Sequence, residues 1–522
     1  MKLDDSLLPL TRGQLDIWLA QETGRFGTKW QIGLFLKIEG AIERDRLEWA
    51  IRRVVQEAEP VRAAFFELDG QVLQKAIDHP DVELDFYDLS CLRDAVQEAR
   101  RIAESIQRTP MSFTGLLLKF GLFQTGLDEF YLFTCCHHII MDGTAVALVV
   151  KRVAAVYAAT VARTPIPPAL FGSLQDLVSY ELEYEASNDY LDDEAYWIKN
   201  IPGENETPHW LPQAVDERDS YWPSAPVELD PVVLRRVEQL THAWNMPRSS
   251  IITAACALML RGWSAGSSDV ELDFPVSRRV RPELKTLPGM LAGFVPLLLR
   301  VSPKSTAAGF CQYVDTRVQE ALQHQRFPVY ALERKAGTGN VGRPSDRVSI
   351  SFLPSAFTLS FAGAAASVSY TNSGLVYGFG LIFFSAGEQM FLSTGGGTGH
   401  PLSSFAVSDL ARQLEQVLAA MTADPGRALS SIDVLDVGER AELDVWGNRA
   451  VLTGPMAMSV SVPVLFAARV AGAPDAVAVS CGGSSMTYRE LDEASNRLAH
   501  LLVGYGVGPG QCVAVLFSRS AE

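Results

Sequence analysis

Two apolar runs, GLLLKFGLF and EFYLFTCCHHIIM, stand close together with Gly126-Leu127-Asp128 between them. Apolar β-rich runs flanking a Gly-containing step predict an antiparallel hairpin. The second run ends at Asp142-Gly143, and a strongly apolar helix is expected from about Thr144 to Thr160. A hairpin that feeds a helix this apolar requires a core with helices laid against sheet, so the chain reads as mixed α and β. The surrounding segments agree. QIGLFLKIEG alternates, with Ile32, Leu34, Leu36 and Ile38 on one face of a half-buried strand. Asp45 stands three residues before Glu48 as a capping-box-like start. Leu47, Ala50, Ile51, Val54, Val55 and Ala58 then follow at helical spacing until Pro60.

Pro165, Pro167 and Pro168 and a Gly-Ser step mark a crossing at 161–178. A second mixed region runs to about 437, with a helix over IITAACALMLRGW, strands at VELDFPVS and GFVPLLLRVS, and a helix around 308–323. Residues 448–462 have few charges and read as a linker; after them come helix, strand, helix and a last strand at CVAVLF. At 522 residues the chain is expected to hold about three or four domains.

Composition removes several function classes. Hydrophobic residues make up 48% and charged residues 20%, enough apolar surface for sizeable cores. A net charge of −16 excludes the basic footprint of a nucleic-acid binder, and acidic membrane surfaces would repel it. The seven cysteines form no CxxC pair and read as reduced thiols, with Cys135 and Cys136 on opposite faces of one strand. MKLDDSLLPL lacks the pattern of a signal peptide. Val348 to Gly387 carries no charge, but Pro354, its glycines and many Ser/Thr break it into buried strands, not a membrane span. A soluble, cytoplasmic protein without nucleic-acid or membrane partners is expected.

The sharpest chemistry is His137-His138-Ile139-Ile140-Met141-Asp142-Gly143, at a strand end and a helix start. A neutral imidazole can take a proton near neutral pH, and the first N–H groups of a helix lack intrahelical partners and can stabilise an oxyanion. Two core histidines in a strand are the plain alternative. Neighbouring strand residues face opposite sides, so His137 and His138 should not converge on one metal ion, and no metal site is expected. Gly395-Gly396-Gly397-Thr398-Gly399 has no following Lys and reads as a turn, not a phosphate loop. FGSLQDL (171–177) lacks the Gly-Gly-x-Ser of a carrier site, and no G-x-S-x-G elbow is present.

HHIIMDG matches the HHxxxDG motif of nonribosomal peptide synthetase condensation domains, and its companions stand in the family's order. LPLTRGQLDIWLAQ resembles the opening motif, and PVRAAFF the Arg and Phe after the first helix. DEAYWIKNIP resembles the YW element. FPVSRRVRPELKTLPGMLAGFVPLLLRV resembles the Pro-Val-x-x-Arg and Gly-x-Phe-Val elements, and HQRFPVYALE the HQxxP element. The resemblance implies an α/β (α+β) fold of two chloramphenicol-acetyltransferase-like lobes, a V-shaped pseudo-dimer with a tunnel between them. The expected divisions are 1–178 and 179–437 for the lobes and 438–462 for a linker. The remaining 463–522 resemble the start of an amino-acid adenylation domain, with MTYREL as its first core motif; its phosphate loop and catalytic Lys lie beyond the chain's end, so this fragment should be inactive.

By the same resemblance, an amine on one carrier protein attacks a thioester on another and forms an amide. His138 would sit nearest the reacting atoms, Asp142 would be structural and paired with Arg279, and Gly143 would leave room for the thioester. His137 would pack. No cofactor is expected on the chain itself; 4'-phosphopantetheine arrives on donor and acceptor carriers, or coenzyme A on the donor, with a downstream adenylation domain as further partner. The family's DGWS is here Asp142-Gly143-Thr144-Ala145, and Pro296-Leu297 replace its Asn-Thr. With no carrier segment upstream, these departures resemble a starter-type domain. The alternatives are an acyl-CoA-dependent transferase, whose DFGWG is not matched by Val376-Tyr377-Gly378-Phe379-Gly380, and a non-catalytic docking module, which tends to lose the second His.

Overall fold

The computed structural model describes residues 7–22, 27–201, 224–263, 269–330, 332, 347–353, 359–372, 378–386, 388–396, 400–435, 437–454, 460–514 and 516. The chain divides into two compact units, Met1–Asp436 and Val437–Glu522.

The first unit opens with β1 (Leu8–Pro9), α1 (Arg12–Glu22), β2 (Gln31–Glu39) and α2 (Arg44–Glu57). Next come β3 (Ala63–Leu68), β4 (Gln71–Ala76), β5 (Leu84–Asp88) and α3 (Ala95–Gln107). The predicted hairpin is β6 (Leu118–Gly126) and β7 (Glu129–His137), paired antiparallel, and it runs into α4 (Gly143–Ala162). Two helices, α5 (Leu174–Glu185) and α6 (Asn188–Asn200), follow the proline-rich crossing. Then come β8 (Val227–Glu228), α7 (Pro231–Trp244), α8 (Arg248–Trp263), β9 (Asp269–Val276), β10 (Gly293–Arg300) and α9 (Ala307–Gln323). The unit closes with β11 (Val348–Phe352), β12 (Leu359–Phe361), β13 (Ala364–Asn372), β14 (Phe379–Ala386), β15 (Gln389–Gly396) and α10 (Val407–Ala423).

Twelve of these strands build two six-stranded sheets, ordered β12-β13-β2-β7-β6-β5 and β10-β9-β11-β14-β15-β8, and the other three form a sheet ordered β1-β4-β3. Each six-stranded sheet backs its own large core. The first core holds Ile32, Leu34, Leu36 and Ile38 together with α2 and α4; the second holds α8, β9, β10 and α9. The uncharged stretch is shared between the two sheets: β11 and β14 lie parallel in the second, while β13 pairs antiparallel with β2 in the first. Within it, β14 is buried along nearly its whole length, as a strand covered on both faces should be, whereas β12 and β13 alternate, with Ser360, Ala365, Ser367 and Ser369 exposed.

Three local expectations change. The strand at 31–39 is not half-buried, because Phe35 packs in a further cluster with Phe123, Phe133 and Cys135 beneath Ala99 and Ala103 of α3. Cys135 thus lies in that cluster and Cys136 in the main core, on opposite faces as alternation requires. Helix α2 begins at Arg44, with Glu43 at the N-cap and no side-chain cap bond, so Asp45 sits in the first turn. Gly395 and Gly396 belong to β15 and are not a turn, whereas 397–399 fall outside the described residues.

Among the described residues, α4 alone is long and apolar enough to cross a membrane. Here Val146, Val149, Val150, Val153 and Tyr157 are buried in the first core.

In the second unit, a helix spans Val437–Trp446, where a linker was expected. Helix Val462–Gly472, a hairpin of Val477–Cys481 with Ser484–Thr487, and helix Tyr488–Gly504 follow. Residues 512–514, expected to start a strand, pair with no strand; extended chain becomes a strand only when a neighbour takes its N–H and C=O groups.

Candidate active site

The last residue of β7 is His137, opposite Gln31 of β2, and the backbone then turns sharply. Ile140 N–H donates to the His137 carbonyl (3.2 Å), and Ile139 N–H to His137 Nδ1 (3.2 Å). The His137 ring therefore serves the turn as an acceptor. It is 4% exposed and meets Phe113 edge-on, and burial, with a smaller push from His138, lowers its pKa to about 3. His137 is a neutral packing residue.

His138 N–H donates to the Trp30 carbonyl (2.8 Å), and the two rings stand perpendicular with centroids 6.0 Å apart. The residue is half-buried. Its Nδ1 is buried without a well-formed hydrogen bond. Burial lowers the imidazole pKa, against a smaller upward pull from its own carbonyl and from Asp142. His138 is thus kept neutral, and with Nδ1 buried it is Nε2 that a substrate could reach.

Asp142 is the N-cap of α4 and is 1% exposed. Oδ1 accepts from Ala145 N–H (2.9 Å). Oδ2 accepts from Arg279 Nη1 (2.6 Å), Leu291 N–H (3.0 Å) and Ala292 N–H (2.9 Å). Burial alone would raise its pKa, but the Arg279 charge and these hydrogen bonds outweigh it and hold the carboxyl below its ordinary range. A carboxylate so fully used is no proton acceptor; it ties the motif turn to the loop between β9 and β10. Arg279, 7% exposed, completes the tie by donating Nη2 to the carbonyls of Gly289 (3.0 Å) and Leu287 (3.3 Å). That loop also places Leu284, Leu287, Met290 and Leu291 in the first core.

Gly143 is exposed, and a Cβ built on it would meet nothing within 4 Å. Neither the backbone nor the packing requires glycine here. The N–H groups of Gly143 and Thr144 head α4, where a helix offers unpaired donors.

Reading the sequence missed the support beneath the turn. Gln14 and Gln74, 1% and 0% exposed, exchange amide hydrogen bonds of 2.9 and 2.8 Å. Gln14 Nε2 also reaches the Ile139 carbonyl (3.3 Å) within the motif. The signal was present, since Gln14 lies inside LPLTRGQLDIWLAQ, but nothing local says that a helical glutamine is buried against residue 74. No group of three metal-ligating side chains occurs among the described residues.

The family model of the condensation domain matches residues 5–356. The chain belongs to the condensation-domain family. Residues 466–522 match the model of AMP-binding enzymes. Among similar proteins, the isonitrile lipopeptide synthase of Mycobacterium tuberculosis is 32% identical over 542 residues, covering 98% of this chain and 21% of that protein. Enterobactin synthase component F of Escherichia coli is 23% identical, covering 98% and 40%. The chain thus spans about a fifth of the length of the first of these relatives. The starter condensation domain of rhizomide synthetase superposes with a TM-score of 0.69 at 26% identity, covering 83% of this chain and all of that one. The first condensation domain of the CDA synthetase reaches 0.73 at 24% identity, with the same coverage, and shows the same chloramphenicol-acetyltransferase-like fold. Condensation domains of peptide synthetases are amide-forming acyltransferases that draw on thioesters held by phosphopantetheine or coenzyme A.

Proposed function

We propose that this domain joins an acyl group, carried as a thioester, to the amine of an aminoacyl group on a carrier protein, with His138 at the reacting centre. The observation that carries the reading is the His138 imidazole, held neutral by burial with Nε2 left free, one turn from the clear space at Gly143. The amine nitrogen attacks the thioester carbonyl carbon and forms the C–N bond. Charge collects on the carbonyl oxygen, where the N–H groups at the start of α4 are available as donors. His138 Nε2 takes the proton released by the attacking nitrogen. Collapse breaks the C–S bond, and His138 returns that proton to the departing thiolate, which leaves as a free thiol. Asp142 and Arg279 take no proton in this scheme and keep the turn in place.

We further propose a starter-type donor preference, on Thr144-Ala145 after Asp142-Gly143, on Pro296-Leu297, and on the likeness to a starter domain. The solved rhizomide domain is described in complex with C8-CoA, which makes a coenzyme A thioester the donor to try first. In this reading residues 1–178 and 179–437 act as the two lobes, with β12 and β13 of the latter stretch completing the first lobe's sheet, and 463–522 begin the next domain of the assembly.

Purified chain mixed with aminoacyl carrier and either acyl-coenzyme A or acyl carrier should give amide product, followed by intact mass. His138→Ala should slow it by about 10²–10⁴-fold. Product formed at the parent rate by His138→Ala would remove the assignment. The pH–rate profile gives a second readout. Because the His138 pKa is lowered from 6.5, the rate should hold as pH falls to 6.5 and decline only below it.

A further inference from the structure

The two arginines that follow β9 have different fates. Arg279 enters the interior and holds Asp142, whereas Arg278 is half-buried and has a φ of +56°. That left-handed state is uncommon for a residue with a side chain, and it persists only where the surroundings impose it. Returning Arg278 to negative φ would swing the chain after it, and Arg279 is the next residue. The buried pair with Asp142 therefore depends on a backbone state that Arg278 does not itself prefer.

Gln325 imposes that state. Its Oε1 accepts from Arg278 N–H (3.1 Å), and its carbonyl accepts from Arg278 Nε (3.2 Å). The amide cannot turn over without loss, because its Nε2 donates to the Leu322 carbonyl (2.9 Å). Gly293 leaves the guanidinium its path, since a Cβ there would stand 2.5 Å from Arg278 Cζ. Glu181 also attracts the Arg278 charge. A long side chain can reach a carboxylate from many backbone states, however, so this attraction sets no φ.

Gln325 is anchored in turn. His324 closes α9; its carbonyl accepts from Trp197 Nε1 (2.9 Å), and its Nδ1 lies 2.7 Å from Asp193 Oδ1. Asp193 is buried and accepts from the Tyr184 hydroxyl on its other oxygen (2.5 Å). Contacts thus run from α6 through His324 and Gln325 to Arg278, Arg279 and Asp142. We propose that Gln325 is a positioning residue for amide formation. It holds Arg278 in the left-handed state that delivers Arg279 to Asp142, and so sets the turn that carries His138. This rests on the placement of the reacting centre at that turn; Gln325 itself touches no reacting atom.

Steady-state kinetics and denaturant unfolding of the 522-residue chain test the assignment, with kcat measured well below each variant's unfolding midpoint. Gln325→Ala, and Gln325→Met, which fills the space without Oε1, should each lower kcat about tenfold while KM for donor and acceptor changes less than about twofold. Arg278→Ala and Arg278→Gly both remove the guanidinium, but only glycine takes positive φ freely. The glycine variant should therefore turn over about fivefold faster than the alanine variant. In the Arg278→Gly background, Gln325→Ala should lower kcat by less than about twofold. The unfolding equilibrium should show the same coupling, shifting about fivefold for Gln325→Ala alone and less than about twofold beside Arg278→Gly. Equal losses from Gln325→Ala in both backgrounds, or equal rates in Arg278→Ala and Arg278→Gly, overturn the proposal. Coupling in unfolding with an unchanged kcat also overturns it, because Gln325 would then stabilise the fold without serving the reaction. A parent chain that forms no amide with any donor breaks the proposed function itself; the unfolding cycle needs no turnover and still upholds or overturns the hold on Arg278.

Discussion

Helix α8 of the first unit and helix Val462–Gly472 of the second are both rich in alanine and aliphatic residues. Every residue of α8 from Ser250 to Leu260 is buried, whereas none of the second helix is. Indeed, no described residue of the second unit is buried. Local signals are equally good in both units: Ser173 and Asp176 form a capping box at α5, and Thr487 and Glu490 form one at Tyr488–Gly504. What differs is the sheet behind the helix. Six strands give α8 a surface to cover, while a two-stranded hairpin gives the second unit almost none. Helix formation and burial are therefore separate achievements of a sequence, and only burial should show in cooperative stability.

The strongest way to break this contrast lies at the buried ion pair. Removing one partner with Asp142→Ala or Arg279→Ala should cost about 3–5 kcal/mol, read from denaturant unfolding of the first unit. Arg279→Lys should recover little, because an ammonium cannot reach both Asp142 and the Leu287 and Gly289 carbonyls. A smaller effect concerns acid. The folded pKa of His137 is about 3 against 6.5 when free, so the unfolded chain binds its proton first. The stability His137 contributes is complete above pH 6.5 and is lost as pH falls toward 3. Unfolding curves across that window should steepen for the parent relative to His137→Gln. Smaller again is the matched pair of caps. Ser173→Ala should lower the stability of the first unit by about 1 kcal/mol, and Thr487→Ala should leave that transition where it was. Equal shifts from the two substitutions would mean that the second unit shares the first unit's cooperativity.

Much of the local architecture was legible. The β6–β7 hairpin, α4 and the pairing of Asp142 with Arg279 could be read because each leaves a mark in a short stretch: a turn, a period or a matched motif. What was hidden is non-local. The uncharged block says that strands are buried, but not that β13 joins β2 while β14 joins β11. Gln14 looks like any polar residue on a helix until Gln74 and the Ile139 carbonyl are placed beside it. Arg278 reads as one more basic residue in SRRVR; its positive φ depends on Gln325 and Gly293, both distant in the sequence.

The pairing of β13 with β2 also sets an order of events during synthesis. Glu39 leaves the ribosome early and meets Ala365 only after most of the first unit has been made. Until then β2 has one paired side, on β7, and one open edge, the kind of surface that recruits foreign strands. Closing so long a loop is slow compared with forming the β6–β7 hairpin. The nascent chain should therefore pass through a stage in which the turn at residues 137–143 is already built on an unfinished sheet, and truncation before residue 364 should yield aggregation and not a smaller folded lobe.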